Sequence, residues 1–116
     1  MSGENVTESC CGTLLDADQL GYAAEMLKML AHPLRLQIVQ LLRDGSLPVK
    51  DLVEKTGSPQ ATVSGYLRKM KLYGLVESTQ RGQEVWYGIK NECVISLLVC
   101  ICNYYDNQKA NRGIEE

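Results

Sequence analysis

Two of the chain's five cysteines stand side by side, Cys10 and Cys11 in TESCCG, and three more, Cys93, Cys100 and Cys102, fall within NECVISLLVCICNYYDN. Thiolates are soft donors that select soft acceptors, among them trivalent arsenic and antimony, which favour three sulfurs. Thiol pairs can also form a disulfide or a persulfide bridge. The odd count argues against full intrachain pairing, and cysteine clusters in a reducing cytoplasm are more often metal-binding or redox-active than structural. The sequence opens without a basic segment followed by an apolar stretch, so a cytoplasmic location is expected.

The three later cysteines belong to a helix by their apolar setting, and helix geometry limits what they can do. Cys93 and Cys100 share a face but lie about 10 Å apart along the axis, while Cys100 and Cys102 differ by about 200°. No two of them can chelate one ion from a regular helix. A thiol site therefore needs fraying near Cys100 and Cys102, a partner chain, or Cys10 and Cys11, which are adjacent and lie in a polar segment expected to be a flexible arm over residues 1–13. Cys93 is the first choice as third donor. Asn91 can cap the helix and place Cys93 in its first turn, where the macrodipole favours a thiolate. Cys100 and Cys102 have an alternative role as core filler, because VCIC is the most apolar stretch and free cysteine buries readily.

The elements that would carry these residues are punctuated clearly. A first helix is expected from Asp16 to about Ala31, with Leu20, Ala23, Ala24, Leu27 and Leu30 as its apolar stripe. His32-Pro33 breaks the chain, and Leu34, Ile38, Leu41 and Leu42 mark a second helix ended by Asp44-Gly45. After a short Ser46-Leu47-Pro48 connection, VKDLVEKTG forms a two-turn helix stopped by Gly57. A fourth helix starts at Ser58-Pro59, with Ser58 as N-cap and Pro59 at its first position, and runs to about Lys71, with Gly74 closing it. LVEST and EVWYGI then read as a hairpin around Gln80-Arg81-Gly82-Gln83. The final helix is apolar almost all round, so it must be covered, by the first helix and by a second copy of the chain. The domain is expected over residues 14–107, with 108–116 as a tail.

At 116 residues and with 22% charged side chains the chain fits one ordinary globular domain, and no apolar run reaches the length of a bilayer span. The net charge of −2 is unevenly spread: residues 50–90 carry seven bases against four acids, between acidic ends. That local excess is compatible with an anionic partner. Two short helices separated by a tight turn and followed by a hairpin describe a winged helix-turn-helix, in the order α-α-α-α-β-β-α. With Val63, Leu67 and Met70 inward, Ala61, Gly65 and Arg68 lie opposite, flanked by Thr62, Ser64 and Lys69.

Such a face suits a major groove. Ala61 and Gly65 let the backbone approach, Gln60, Thr62 and Ser64 can bond base edges, and Arg68 and Lys69 can meet phosphates. Ser58 at the helix start and Arg81 at the hairpin tip complete the expected DNA-facing set, and Tyr66, at the edge of the buried stripe, is assigned to packing. A thiol enzyme finds no support: no histidine lies near a cysteine in sequence and no glycine-rich phosphate loop appears. A winged helix that binds only protein is the remaining alternative.

Residues 27–89, from LKMLAHPLRLQIVQLL through TVSGYL to GLVEST and VWYGI, resemble the arsenic- and metal-responsive repressors of the ArsR/SmtB family. The resemblance implies a homodimer built on the first and last helices, one recognition helix per subunit on a palindromic double-stranded operator, and release when an inducer binds elsewhere. It needs no cofactor. His32 belongs to the family's HPLR stretch, and as the chain's single histidine at a helix junction it is read as a structural capping residue rather than a ligand.

The departures from the family are informative. Where many of its metal sensors carry a stretch resembling ELCVCDL, this chain has Ser46-Leu47-Pro48-Val49-Lys50-Asp51-Leu52, so Pro48 and Lys50 replace the two thiols. The family's Asp, His and Glu site on the last helix is missing its histidine. Family members that sense reactive sulfur pair a cysteine on the second helix, and LRLQIVQLL has none. Cys10, Cys11, Cys93, Cys100 and Cys102 remain as candidate donors, with arsenite or antimonite the leading inducer and a redox or reactive-sulfur signal the alternative.

Overall fold

A capping box starts the first helix: the Asp16 carboxylate accepts the Gln19 N–H at 2.8 Å, and the Asp16 N–H donates to Gln19 Oε1 at 3.0 Å. In the computed structural model, which describes residues 14–111, α1 spans Ala17–Leu30, α2 Pro33–Leu42 and β1 Leu47–Pro48. α3 is Val49–Thr56, α4 Gln60–Leu72, β2 Val76–Arg81, β3 Glu84–Ile89 and α5 Cys93–Asn111. His32 is the N-cap of α2, its Nδ1 accepting the Leu34 N–H at 3.2 Å, with Pro33 at the first helical position. The capping role expected of this histidine is therefore what the imidazole performs.

Ser46-Leu47-Pro48, read as a plain connection, contains β1. Its two residues pair with Tyr87 and Trp86 of β3, giving an antiparallel sheet in the order β1-β3-β2. Pro48 is tolerated because β1 is an edge strand and its missing N–H interrupts no inner ladder. The hairpin is tighter than expected: β2 includes Arg81, which pairs with Glu84 across the two-residue turn Gly82-Gln83.

The helix-turn-helix junction also differs in detail. Gly57 takes the left-handed conformation at φ 71°, which a side chain would resist, and its N–H donates to Val53 O at 2.9 Å. Ser58 is not the cap of α4. Its N–H donates to Thr56 Oγ1 at 3.3 Å, and Pro59 occupies the cap position, its carbonyl accepting the Val63 N–H at 3.1 Å. No side chain caps α4, and the Thr56 hydroxyl donates back to Leu52 O at 2.7 Å, within α3. At the other end of α4, Leu75 N–H reaches Met70 O at 3.0 Å and Gly74 N–H reaches Lys71 O at 2.9 Å, with Gly74 at φ 75°. These bonds form a Schellman motif, with buried Met70 and Leu75 as its apolar pair.

The core gathers Ile38, Val39 and Leu42 of α2, Leu52 of α3, Val63, Leu67 and Met70 of α4, and Leu75, Val76, Tyr87 and Val94 beyond them. α1 contributes only Met29 and Leu30 as buried side chains. Its expected stripe mostly faces away, for Leu20 and Leu27 are exposed together with Tyr22. α5 packs its first half on α2 rather than on α1, through Ile95 and Leu98, and runs to Asn111, past the expected domain end at residue 107. Val99, Ile101, Tyr104 and Tyr105 remain exposed. Within one chain, both helices thus leave apolar side chains uncovered. Among the described residues no helix is long and apolar enough to cross a membrane.

Candidate nucleic-acid interface

The α4 stripe is complete: Val63, Leu67 and Met70 are all 0% exposed. That fixes the rotation of the helix, because 3.6 residues per turn then carry Ala61 and Arg68 to the opposite side. Gln60, Ala61, Arg68 and Lys69 are exposed and Thr62, Ser64 and Gly65 half-exposed, so the predicted face is presented as one surface. Ser58, half-exposed like Thr62, Ser64 and Gly65, lies in the turn two residues before α4 begins. Lys71, the next cation, is tied to the sheet by a 2.7 Å bond from its Nζ to Ser78 Oγ.

Beside this face stands the hairpin. Arg81 and Trp86 fall on the same side of the sheet, since Arg81 pairs with Glu84 and Thr79 with Trp86. The Arg81 guanidinium lies 4.3 Å from the Trp86 ring centroid, a cation–π contact that holds the charge in one place while leaving it exposed. Gln80 Nε2 donates to Gly82 O at 2.9 Å and braces the turn.

Between α4 and the wing runs a cleft of about 360 Å³ lined by Lys50, Gln60, Ser64, Arg68, Gln83 and Glu84, among others. Lys50, noted in the sequence only for standing where a thiol was absent, bridges α3 to the wing through a 2.7 Å ion pair with Glu84. The hydrogen bond to Glu84 and then its charge hold the Lys50 ammonium above the usual 10.5. No local pattern relates Lys50 to Glu84; only the pairing of β1 with β3 brings α3 to the wing.

This geometry, a two-helix turn with its second helix outward and a wing beside it, coincides with what comparison finds. Residues 32–78 match the model for bacterial regulatory proteins of the arsR family. The transcriptional regulator NmtR of Mycobacterium tuberculosis is 39% identical over 84 residues, covering 72% of this chain and 70% of that protein. The chain belongs to the ArsR family.

Among solved structures, this ArsR-family chain is similar to the homodimeric winged helix-turn-helix DNA-binding domain of Mb0332 from Mycobacterium bovis. The TM-score is 0.72 at 31% identity, over 88% of this chain and 94% of that one. It is also similar to AntR, an antimony-specific transcriptional repressor, with a TM-score of 0.73 at 25% identity, over 85% and 91% of the two chains. The ArsR-family protein is a DNA-binding transcriptional regulator with a winged helix-turn-helix fold.

The thiols are distributed otherwise than the DNA face. Cys93, Cys100 and Cys102 are free and exposed within a single chain, which places Cys100 and Cys102 outside the chain's own core. Burial in that core would require α5 to be enclosed by this chain, and its second half is not. Asn91 Oδ1 accepts the Cys93 N–H at 3.0 Å, the cap expected there. α5 is unbroken from Cys93 to Asn111, and no group of three His, Cys, Asp or Glu side chains among the described residues is placed to hold a metal ion. Cys102 lines a cavity of about 330 Å³ between α2 and α5, where Gln37, Gln40 and Arg43 stand across from it. Cys10 and Cys11 lie outside the described residues.

Proposed function

We propose that this ArsR-family protein is a homodimeric repressor that reads a palindromic operator through α4 and the wing, and leaves it when its cysteines bind trivalent arsenic or antimony. The observation that carries the DNA half is the outward face of α4, from Gln60 to Lys69, over a fully buried stripe and next to the Arg81–Trp86 wing. Gln60, Thr62 and Ser64 read bases; Arg68, Lys69 and Arg81 meet phosphates. The dimer half rests on the uncovered apolar side chains of α1 and α5, a surface of the kind that oligomers cover.

The inducer half rests on donor chemistry and on likeness to AntR, named as antimony-specific. Soft thiolates are the available donors, and three sulfurs cannot come from the unbroken α5 alone. Cys10 and Cys11 with Cys93 form the set to test first, and Cys100 and Cys102 are the alternates. Across the cavity from Cys102 stand Gln37, Gln40 and Arg43 rather than a thiol, so a redox pair using Cys102 would draw its second sulfur from another segment or from a partner chain. Fluorescence anisotropy with DNA from upstream of the gene, with and without arsenite, antimonite or a sulfide donor, tests both halves. Binding unaffected by every thiophilic agent would remove the inducer and leave the repressor standing.

A further inference from the structure

Tyr66 sits on the recognition helix yet faces the junction of α1 and α2. Its Oη lies 3.1 Å from His32 Nε2, and the two rings meet edge to face at 5.0 Å between centroids and 71° between planes. The imidazole's orientation is already set, because Nδ1 accepts the Leu34 N–H. In the neutral ring the proton therefore sits on Nε2, which donates to the Tyr66 oxygen. Arg35 closes the group from the other side. Its Cζ lies 4.3 Å from the Tyr66 ring centroid, while Nη1 donates to the Met29 carbonyl, in the last turn of α1, at 2.6 Å.

One chain of contacts therefore runs from the α1 backbone through Arg35 and Tyr66 to the α4 backbone, with His32 bracing it from the α2 cap. The Arg35 Nε is buried without a hydrogen-bond partner, so this guanidinium is held where its own bonding is incomplete. α1 has little else to fix it, burying only Met29 and Leu30. In a dimer docked through α1, the angle between α1 and α4 sets the separation of the two recognition helices, which must match a helical repeat of about 34 Å.

We infer that Tyr66, Arg35 and His32 form a strut that fixes the recognition helix relative to α1, so that Tyr66 is a positioning residue for operator recognition without touching DNA. The inference rests on the proposed reading of α4 as the DNA-facing helix. It deepens the packing role given to Tyr66 by the sequence.

Tyr66→Phe removes one oxygen and keeps the ring; Arg35→Met keeps the bulk and removes the charge. The folded dimeric variants, verified by melting and sedimentation, should bind operator DNA about five- to tenfold more weakly, the scale of one lost hydrogen bond. Affinity for unrelated duplex of equal length, and the salt slope on both DNAs, should match wild type. A parallel loss on both DNAs with a shallower slope would make Tyr66 a phosphate contact and overturn the strut, as would operator affinity unchanged in both variants. Hydrogen exchange without DNA gives a separate reading: Tyr66→Phe should speed exchange of the Leu34 and Leu36 amides and leave the wing unchanged. Unchanged exchange there overturns the strut. Faster exchange in a protein that prefers no DNA sequence would support the strut and sink the operator reading instead.

Discussion

Arg68→Ala tests the DNA face most directly, because its effect can be worked out before it is measured. Arg68 is exposed on the outward side of α4, over the half-exposed Gly65, and no ion pair engages it among the described residues. If Arg68, Lys69 and Arg81 each neutralise one phosphate per subunit, a dimer makes about six such contacts, for a slope of log affinity against log salt near about −5.4. The substitution removes about two of them, so the slope should fall to about −3.6. Between 50 and 200 mM salt, wild-type affinity should then drop about 1,800-fold and the variant's about 150-fold. Anisotropy titrations at four or five salt concentrations resolve that difference. Lys71→Ala is the internal control, since the bond from Lys71 Nζ to Ser78 Oγ points this cation at β2 rather than at DNA. An Arg68→Ala slope equal to that of wild type, or a Lys71→Ala slope reduced as far, would refute the assignment of this face.

Arg81→Ala and Trp86→Leu should each weaken operator binding, and the double variant should cost little more than Arg81→Ala alone, because the ring acts by holding the guanidinium; additive losses would separate the two roles. Glu84→Gln should remove part of the protein's loss of stability at alkaline pH. With Lys50 raised above 10.5 in the folded state by Glu84, the pair's contribution is complete below 10.5 and disappears as pH rises through the folded value. Denaturant midpoints for wild type and Glu84→Gln that stay parallel up to and beyond that pH would contradict the linkage. Cys10→Ser with Cys11→Ser should leave operator affinity intact and blunt release by arsenite, and full release in that variant would exclude both thiols from the inducer site.

The recognition helix was legible because periodicity determines it. Val63, Leu67 and Met70 recur at helical spacing, and once they are buried the opposite face follows by geometry. Gly57 and Gly74 marked the ends of α3 and α4 because few other residues take their backbone conformation. What stayed hidden depends on neighbours distant in sequence. β1 is two residues long and owes its existence to β3. Periodicity showed that α1 has an apolar stripe but not that Leu20 and Leu27 would face outward. Tyr66 and His32 are 34 positions apart, so nothing local relates the hydroxyl to the imidazole. The thiol spacing excluded chelation within α5, and α5 is unbroken, but a site drawn from several segments leaves no local signature.

The uncovered apolar side chains of α1 and α5 have a quantitative consequence for regulation. If only a second copy covers Leu20, Leu27, Val99 and Ile101, folding and pairing become one equilibrium, and the protein's resistance to unfolding rises with its own concentration. While monomer predominates, the dimer available to an operator scales as the square of total protein. A twofold fall in synthesis then costs about fourfold in active species by mass action. Such a repressor would turn a gradual change in its own abundance into a steeper change in promoter occupancy, before any inducer arrives.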